Sequence, residues 1–352
     1  MTSDPVIASI GLCCPLGKDF ESSSTAYGEG DRALKREEAF VASDGLAPIL
    51  ACVLSPQAER SYLRRLRFLL DRAYSDCLNR AGDLTHRIAQ PLIMCLLLPK
   101  WMENTPHVNE FSKTFIDEPL KNIARVDFFF GEHSEGVGVL HYAFNSISRD
   151  GSAGIVVAAI DSYVDFAMLD WLACRDVLFL KNQPYGFIPG EAGVAVFIAR
   201  GALAPTFCWG IVAMAYGREL EENSPGAVGL RGRGLAEALL TLAQMTPGAR
   251  LARVLSDLNG ERWRSEQYGF ATSSVGNVFG DTLRNPECHC TAMGDLGAAT
   301  SLTMLALATG PRQPDSRRQK DNPAEYPALV VSSSATGFSA VLLLTPAKRS
   351  HG

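Results

Sequence analysis

The sequence has no block of basic residues, no long apolar segment and no even set of cysteines, and each absence removes a class of protein. Its 33 Lys and Arg against 38 Asp and Glu give a net charge of −5, spread without runs of one sign. A nucleic-acid surface needs a basic face, and an anionic-membrane patch needs clustered cations. Neither is present. The longest apolar run, around Cys95, is far short of the ~20 residues of a spanning helix. The opening Met-Thr-Ser-Asp-Pro carries neither the basic segment nor the apolar core of a signal peptide. The expectation is a soluble, cytoplasmic protein with no nucleic-acid or membrane partner. Nine cysteines, at 13, 14, 52, 77, 95, 174, 208, 288 and 290, are an odd number, mostly in apolar contexts such as Leu92 to Leu98. They read as reduced, buried thiols.

What is present is enough apolar material for a sizeable core: 47% of 352 residues. That length suits one large domain or two fused halves. Val6–Ile10 reads as a first strand and Gly11–Gly17 as a turn. Residues 57–81 form the clearest helix, with Leu63, Leu66, Leu70, Ala73, Tyr74, Cys77 and Leu78 at helical spacing and Gly82 as a stop. Leu92–Leu98 and Gly154–Ile160 are buried strands by length. Val164–Cys174 reads as a helix, Gly186–Gly193 as a glycine-rich loop and Val194–Ala199 as a strand. Thr206–Ala215 follows as a strand, Gly234–Gln244 as a helix, Arg253–Leu258 as a short strand and Gly297–Thr309 as an apolar helix. Gly310–Pro327 reads as a surface loop, and Ala328–Leu344 as two strands around Thr336-Gly337. Alternating strands and helices point to an α/β fold, with two loosely similar halves, 1–203 and 204–352.

The most specific stretch is Gly131-Glu-His-Ser-Glu-Gly136, between a strand-like run, Val126–Phe130, and a helix-like run, Val137–Ile147. A strand, a small-residue turn and a helix place a side chain at a helix N-terminus, where backbone N–H groups face a reacting atom. His133, with Glu132 and Glu135, can be a general base, a ligand or a relic at a structurally useful turn. Asp257 to Glu266, with Arg262, Trp263 and Arg264, reads either as a strand-to-loop turn or as a pocket contact. Glu287-Cys-His-Cys290 lacks the second ligand pair of a zinc site and reads as buried strand, so no metal is expected. Gly229, Gly232 and Gly234 do not form a dinucleotide fingerprint. No cofactor is expected.

Several of these segments, in order, resemble the thiolase superfamily, and within it the β-ketoacyl synthases. They are Gly11 to Gly17, the turn and helix from Gly131 to Ala143, Gly186-Phe-Ile-Pro-Gly-Glu-Ala-Gly193, Gly294-Asp-Leu-Gly-Ala-Ala-Thr300 and Ser334-Ala-Thr-Gly-Phe-Ser339. The resemblance covers nearly the whole chain. It implies a thiolase-like α/β fold of two similar halves packed as α-β-α-β-α layers. It also implies a catalytic set at His133, Asn259 and Asp295, where the family has a cysteine and two histidines. Glu135, Phe187, Glu191, Gly337 and Phe338 fall at the matching substrate-binding positions. Asparagine cannot carry a proton at neutral pH, and an aspartate would repel a developing anion. The resemblance therefore implies a non-catalytic protein that acts through protein–protein interaction. Such a protein would be a homodimer, or a heterodimer with a related subunit, joined along Gly154–Ile160. By a looser likeness, it would be an accessory or adaptor in effector loading by a type VI secretion system. The alternative is an acyltransferase or decarboxylase acting without a cysteine.

Overall fold

The computed structural model describes residues 4–41, 45, 47–88, 91–150, 152–203, 205, 207–219, 232–311 and 327–348. The first half supplies strands β1 (Pro5–Cys13), β2 (Leu92–Pro99), β3 (Ile123–Gly131), β4 (Gly154–Ser162) and β5 (Glu191–Arg200). Its helices are α1 (Phe20–Glu29), α2 (Tyr62–Ala81), α3 (Pro106–Asp117), α4 (Glu135–Asp150) and α5 (Phe166–Ala173). The second supplies β6 (Phe207–Arg218), β7 (Arg253–Ser256), β8 (Glu287–Cys288), β9 (Ala328–Ser333) and β10 (Phe338–Lys348), with helices α6 (Arg233–Met245), α7 (Arg262–Ser274) and α8 (Thr300–Thr309).

Strand order repeats between the halves. It is β3-β2-β4-β5-β1 in the first and β8-β7-β9-β10-β6 in the second. The directions repeat as well. In each half the three strands farthest from the join run parallel, and the next two pair antiparallel. Among the described residues the two sets touch through one antiparallel bridge, Ile7 to Trp209. The expected division at 203/204 falls in the short link between β5 and β6, part of which lies outside the described residues.

Helices fill three layers around these sheets. α2 covers the outer face of the first sheet, α6 and α7 cover the second, and α4 and α8 lie between the two. The central layer holds the largest core, where Val137, Leu140 and Ala143 of α4 and Leu302, Leu305 and Ala306 of α8 meet inner-face residues of both sheets. Every residue from Thr300 to Ala308 is buried, so α8 is enclosed on all sides. Close approach on the outer layers depends on matched glycines. A Cβ on Gly11 of β1 would lie 2.0 Å from the Ala73 carbonyl oxygen of α2, and one on Gly217 of β6 would lie 1.8 Å from that of Gly234 of α6.

Several sequence expectations shift. The helix expected at 57–81 begins at Tyr62, because the Ser61 side chain accepts from Arg64 N–H and caps it. Gly11 to Cys13 are strand, not turn, and pair with β5. β5 begins at Glu191, inside the expected loop. Helices α1, α3 and α7 were not anticipated. Only Glu287 and Cys288 of the Glu287–Cys290 motif are strand, and Cys290 opens a helical turn. All nine cysteines are unbonded; six are buried, and Cys174 is exposed. Most of the expected loop at 310–327, with Arg317 to Lys320, lies outside the described residues, as does Gly229.

The expected pairing strand is the largest correction. β4 lies between β2 and β5, and all nine of its residues are buried. It has no free side on which to extend a sheet. The free edge of the first sheet is β3, which pairs only with β2 among the described residues. No helix among the described residues is long and apolar enough to cross a membrane.

Candidate functional site

β3 ends at Gly131 and α4 begins at Glu135, so residues 132–134 form the turn at the helix start. The Glu135 carboxylate reaches back to accept from the Glu132 N–H at 3.1 Å, satisfying one of the free amides of a first helical turn. It also accepts from Ser334 Oγ at 2.5 Å, and Glu132 accepts from the Ala335 N–H at 2.7 Å. Ser134 Oγ donates to the Phe338 carbonyl at 3.0 Å and lies 2.6 Å from Ser334 Oγ. The turn is therefore tied to the loop between β9 and β10, in the opposite half.

That anchoring directs His133 inward. Its Nε2 lies 2.8 and 3.0 Å from the two carboxylate oxygens of Asp295. Asp295 sits just before α8 and also accepts from Asn259 Nδ2 at 2.5 Å and from the Gly297 N–H at 2.9 Å. Its backbone is clamped by Ile188 and Gly190, which exchange hydrogen bonds with it at 2.7 and 2.9 Å. Asp295 thus contacts both other residues of the expected catalytic set, His133 and Asn259. The side chains of His133 and Asp295 are 11% and 1% exposed, so this contact is closed to solvent. His133 Nδ1 is buried with no hydrogen-bond partner among the described residues.

Electrostatics favour opposite charges on this pair. Burial and the Arg264 cation push the His133 imidazole towards neutrality, but the contact with Asp295, helped by Asp257, wins and raises its pKa. Burial alone would raise the Asp295 carboxyl. The His133 charge and hydrogen bond, with Arg264 and Asn259, instead hold it well below the usual carboxylate range. Both shifts favour an imidazolium–carboxylate pair over a neutral one.

A second buried pair backs the first. Arg264 of α7 donates to Asp257 at 2.7 Å, to Glu261 at 3.1 Å and to the Ser333 carbonyl at 2.6 Å, and its guanidinium lies 4.3 Å over the Trp263 ring. Glu261 also accepts from Asn259 Nδ2 at 3.0 Å. Asp257 to Glu266 is thus more than a turn: part of it is helix, and Arg264 carries the buried charge. A third carboxyl, Asp161 at the end of β4, accepts from the Ala298 N–H at 2.8 Å and the Ser162 N–H at 2.7 Å, and receives the Tyr62 hydroxyl at 3.3 Å. Burial pushes it up to about 7, against those amides and His133, with the Asp295 anion adding to the rise. Asp161 closes an apolar strand, and that one carboxylate after Gly154 to Ile160 was the only signal available for it.

The remaining expected site residues divide. Phe187 packs against Tyr163, ring centroids 5.4 Å apart, in the loop that clamps Asp295. Gly337 makes the turn between β9 and β10 with φ +82°. Phe338 stacks on Tyr216 at 5.6 Å, and its carbonyl receives Ser134. Glu191 does not line an opening. It is fully buried, paired with Arg65 at 3.0 Å, and accepts from Val53 N–H and Ser162 Oγ. His289 and Cys290 lie close by, Nε2 to Sγ 3.3 Å. Burial lowers the imidazole to about 4 and raises the thiol, leaving both uncharged and the thiol unreactive. A surface cavity of about 750 Å³ opens between α1 and α2, lined by Lys18, Arg72, Asp76 and Arg80, and includes none of these residues.

No protein-family model matches the sequence, and no curated protein matches it. Solved structures do. One is a type II polyketide synthase acyl-carrier protein in complex with its ketosynthase bound to the hexaketide. It matches with a TM-score of 0.71 at 15% identity, over 98% of this chain and 99% of that one. The chain has a thiolase-like fold. The ishigamide ketosynthase/chain length factor matches at TM-score 0.69 and 14% identity, over 97% and 99% of the two chains. A ketosynthase in complex with its chain length factor from Xenorhabdus doucetiae matches at 0.68 and 15%, over 98% of each.

Proposed function

We propose that this chain is a non-catalytic ketosynthase-like protein that acts by pairing with a thiolase-fold subunit along the free edge of β3. One observation carries the first part. The three positions matched to the nucleophile and its two histidines bind one another, His133 to Asp295 and Asp295 to Asn259, in a contact closed to solvent. A nucleophile needs a free lone pair and a reachable substrate, whereas His133 Nε2 is engaged by the Asp295 carboxylate in a buried contact. The Asp295 anion occupies the position where a condensing enzyme gathers positive charge.

Support for pairing comes from β3 and from similar structures. A nine-residue edge strand with Phe128, Phe129 and Phe130 all partly exposed is a surface that proteins normally cover or charge. Two of the similar structures are ketosynthases together with their chain length factors. The same reading includes an accessory part in effector loading by a type VI secretion system, which a pull-down recovering an effector or its adaptor would support.

Acyl transfer or decarboxylation through His133 is the second reading, favoured by one observation: its Nδ1 has no hydrogen-bond partner among the described residues. Mass-tagged acyl-CoA and acyl-carrier substrates decide between them. The expected result is no turnover by the wild type. Turnover that disappears in His133→Ala would overturn the non-catalytic reading.

A further inference from the structure

Away from His133, the geometry points to a second site: the groove between α1 and α2 takes a phosphate monoester whose remaining polar groups are hydroxyls. The groove encloses about 750 Å³, within the roughly 300–1,000 Å³ of small-molecule sites. Its two walls are helix faces. Arg72, Ser75, Asn79 and Arg80 recur at helical spacing on α2, and Glu21, Thr25 and Glu29 at four-residue spacing on α1. Lys18 lines it just before the Asp19 cap of α1.

The cations of this groove are available to a ligand. None of Lys18, Arg72 and Arg80 forms an ion pair among the described residues. Two of the four carboxylates lining it are turned to other donors. Asp19 accepts from the Ser22 N–H at 2.8 Å and hydroxyl at 2.7 Å, and Asp76 accepts from the Leu12 and Phe20 N–H groups at 3.1 and 2.7 Å. Both guanidiniums lie against rings, Arg80 over Phe20 at 4.4 Å and Arg72 over Phe68 at 5.7 Å. That support limits their freedom before a ligand arrives.

Position then assigns the parts of the ligand. Arg80 rests on Phe20, the first residue of α1, and Lys18 lies two residues before it, so these two cations meet at one end and hold the phosphate. Arg72 is eight residues earlier on α2, about 12 Å along its axis, and reaches the other end. Glu21 and Glu29 would repel a second anion but accept O–H donors. The Thr25 and Ser75 hydroxyls and the Asn79 amide add donors and acceptors between them. Ala26 is the one apolar side chain lining the groove, so the body of the ligand is polar. A phosphorylated sugar or polyol meets these conditions, whereas a fatty acyl group or a nucleoside triphosphate does not.

The test is calorimetric titration of the full chain at fixed ionic strength with glucose 6-phosphate, ribose 5-phosphate, glycerol 3-phosphate, inorganic phosphate and glucose. At least one of the three esters is expected to bind about tenfold or more tightly than inorganic phosphate, and glucose not to bind. Lys18→Gln is expected to weaken the ester and inorganic phosphate alike, by at least about tenfold. Glu29→Gln is expected to weaken the ester alone, because it removes a hydroxyl acceptor and no phosphate contact. Both side chains reach solvent, so the variants should fold, and circular dichroism checks this. The absence of binding by all three esters at millimolar concentration overturns the proposal. So does inorganic phosphate binding as tightly as every ester, which would mark a site for any small anion. Ester binding unchanged in Lys18→Gln overturns the placement in this groove.

Discussion

His133 and Asp295 face each other across the centre of the molecule, one at the start of α4 in the first half and one just before α8 in the second, with Nε2–Oδ1 at 2.8 Å. Because α4 and α8 occupy equivalent places in the repeated strand order, the pair joins the halves where their central helices begin. It therefore serves stability, and its removal should be felt globally. Asp295→Ala leaves a buried imidazole and an amide without their acceptor, and is expected to cost about 3–5 kcal/mol. His133→Ala should cost a similar amount. The double variant should cost clearly less than the sum, since removing both partners leaves no orphan charge. Urea unfolding of the three variants measures this; strict additivity would show that the contact carries no coupling.

Asp161 predicts how stability depends on pH. Its carboxyl titrates near 7 in the folded chain, because burial outweighs the Ala298 and Ser162 amides, and near ~3.9 when unfolded. Between those values the folded state holds the extra proton, so the contribution of Asp161 to stability falls as pH rises from about 4 to 7. His133, also raised, continues the decline above about 6.5. Asp295 acts oppositely and withdraws its contribution only in acid, below about 4. Asp161→Asn should flatten the fall between pH 5 and 7 by up to a few kcal/mol. Unfolding free energies that show the same slope in this variant would remove Asp161 from the account.

Much of this fold was legible where periodicity and burial agree. β2, β4 and α4 are apolar enough to read by eye, and the paired strands β9 and β10 follow from the turn at Gly337. α7 was not legible, because its buried side includes Arg264, Gln267 and Thr272 and shows no apolar stripe. α3 buries only Phe111. At the start of the chain, Gly11 suggested a turn, whereas it is the gap through which α2 reaches β1. Of the candidate site, His133, Asn259 and Asp295 were picked out through the resemblance, and the fold brings His133 and Asn259 to Asp295. The site was not legible at Asp161 or in the role of Arg264, since nothing in sequence spacing tells that the ends of β4 and β7 converge on the same two helix starts.

Replacing His133 by cysteine should not recreate a reactive thiol. The helix start at α4 would lower a thiol pKa, but Asp295 stays in contact distance as an anion and burial opposes ionisation further. His133→Cys should alkylate with iodoacetamide slowly at pH 7.5. Adding Asp295→Asn, which removes the anion while keeping a similar shape, should raise the rate at that cysteine by about tenfold or more, one pKa unit per 1.4 kcal/mol of relieved repulsion. Peptide mapping separates residue 133 from the nine native thiols. Equal rates in the two variants would show that the anion does not govern this position.

Glu191 was expected at a substrate position, and its surroundings argue for a different consequence. Arg65 and Glu191 are 1% and 0% exposed at their side chains, and Glu191 also holds the Val53 and Leu54 amides and Ser162. A fully buried ion pair is costly to break because one charge is then left without compensation. Glu191→Gln keeps the size but strands the Arg65 guanidinium, and should cost about 3–5 kcal/mol. Arg65→Met with Glu191→Leu replaces both charges and should recover much of that loss. Neither change touches β3, so the oligomeric state at concentrations where the chain is folded should be unaltered. Thermal unfolding with sedimentation on the same samples checks both statements. A Glu191→Gln variant of wild-type stability would show that the pair contributes nothing to holding α2 against β5.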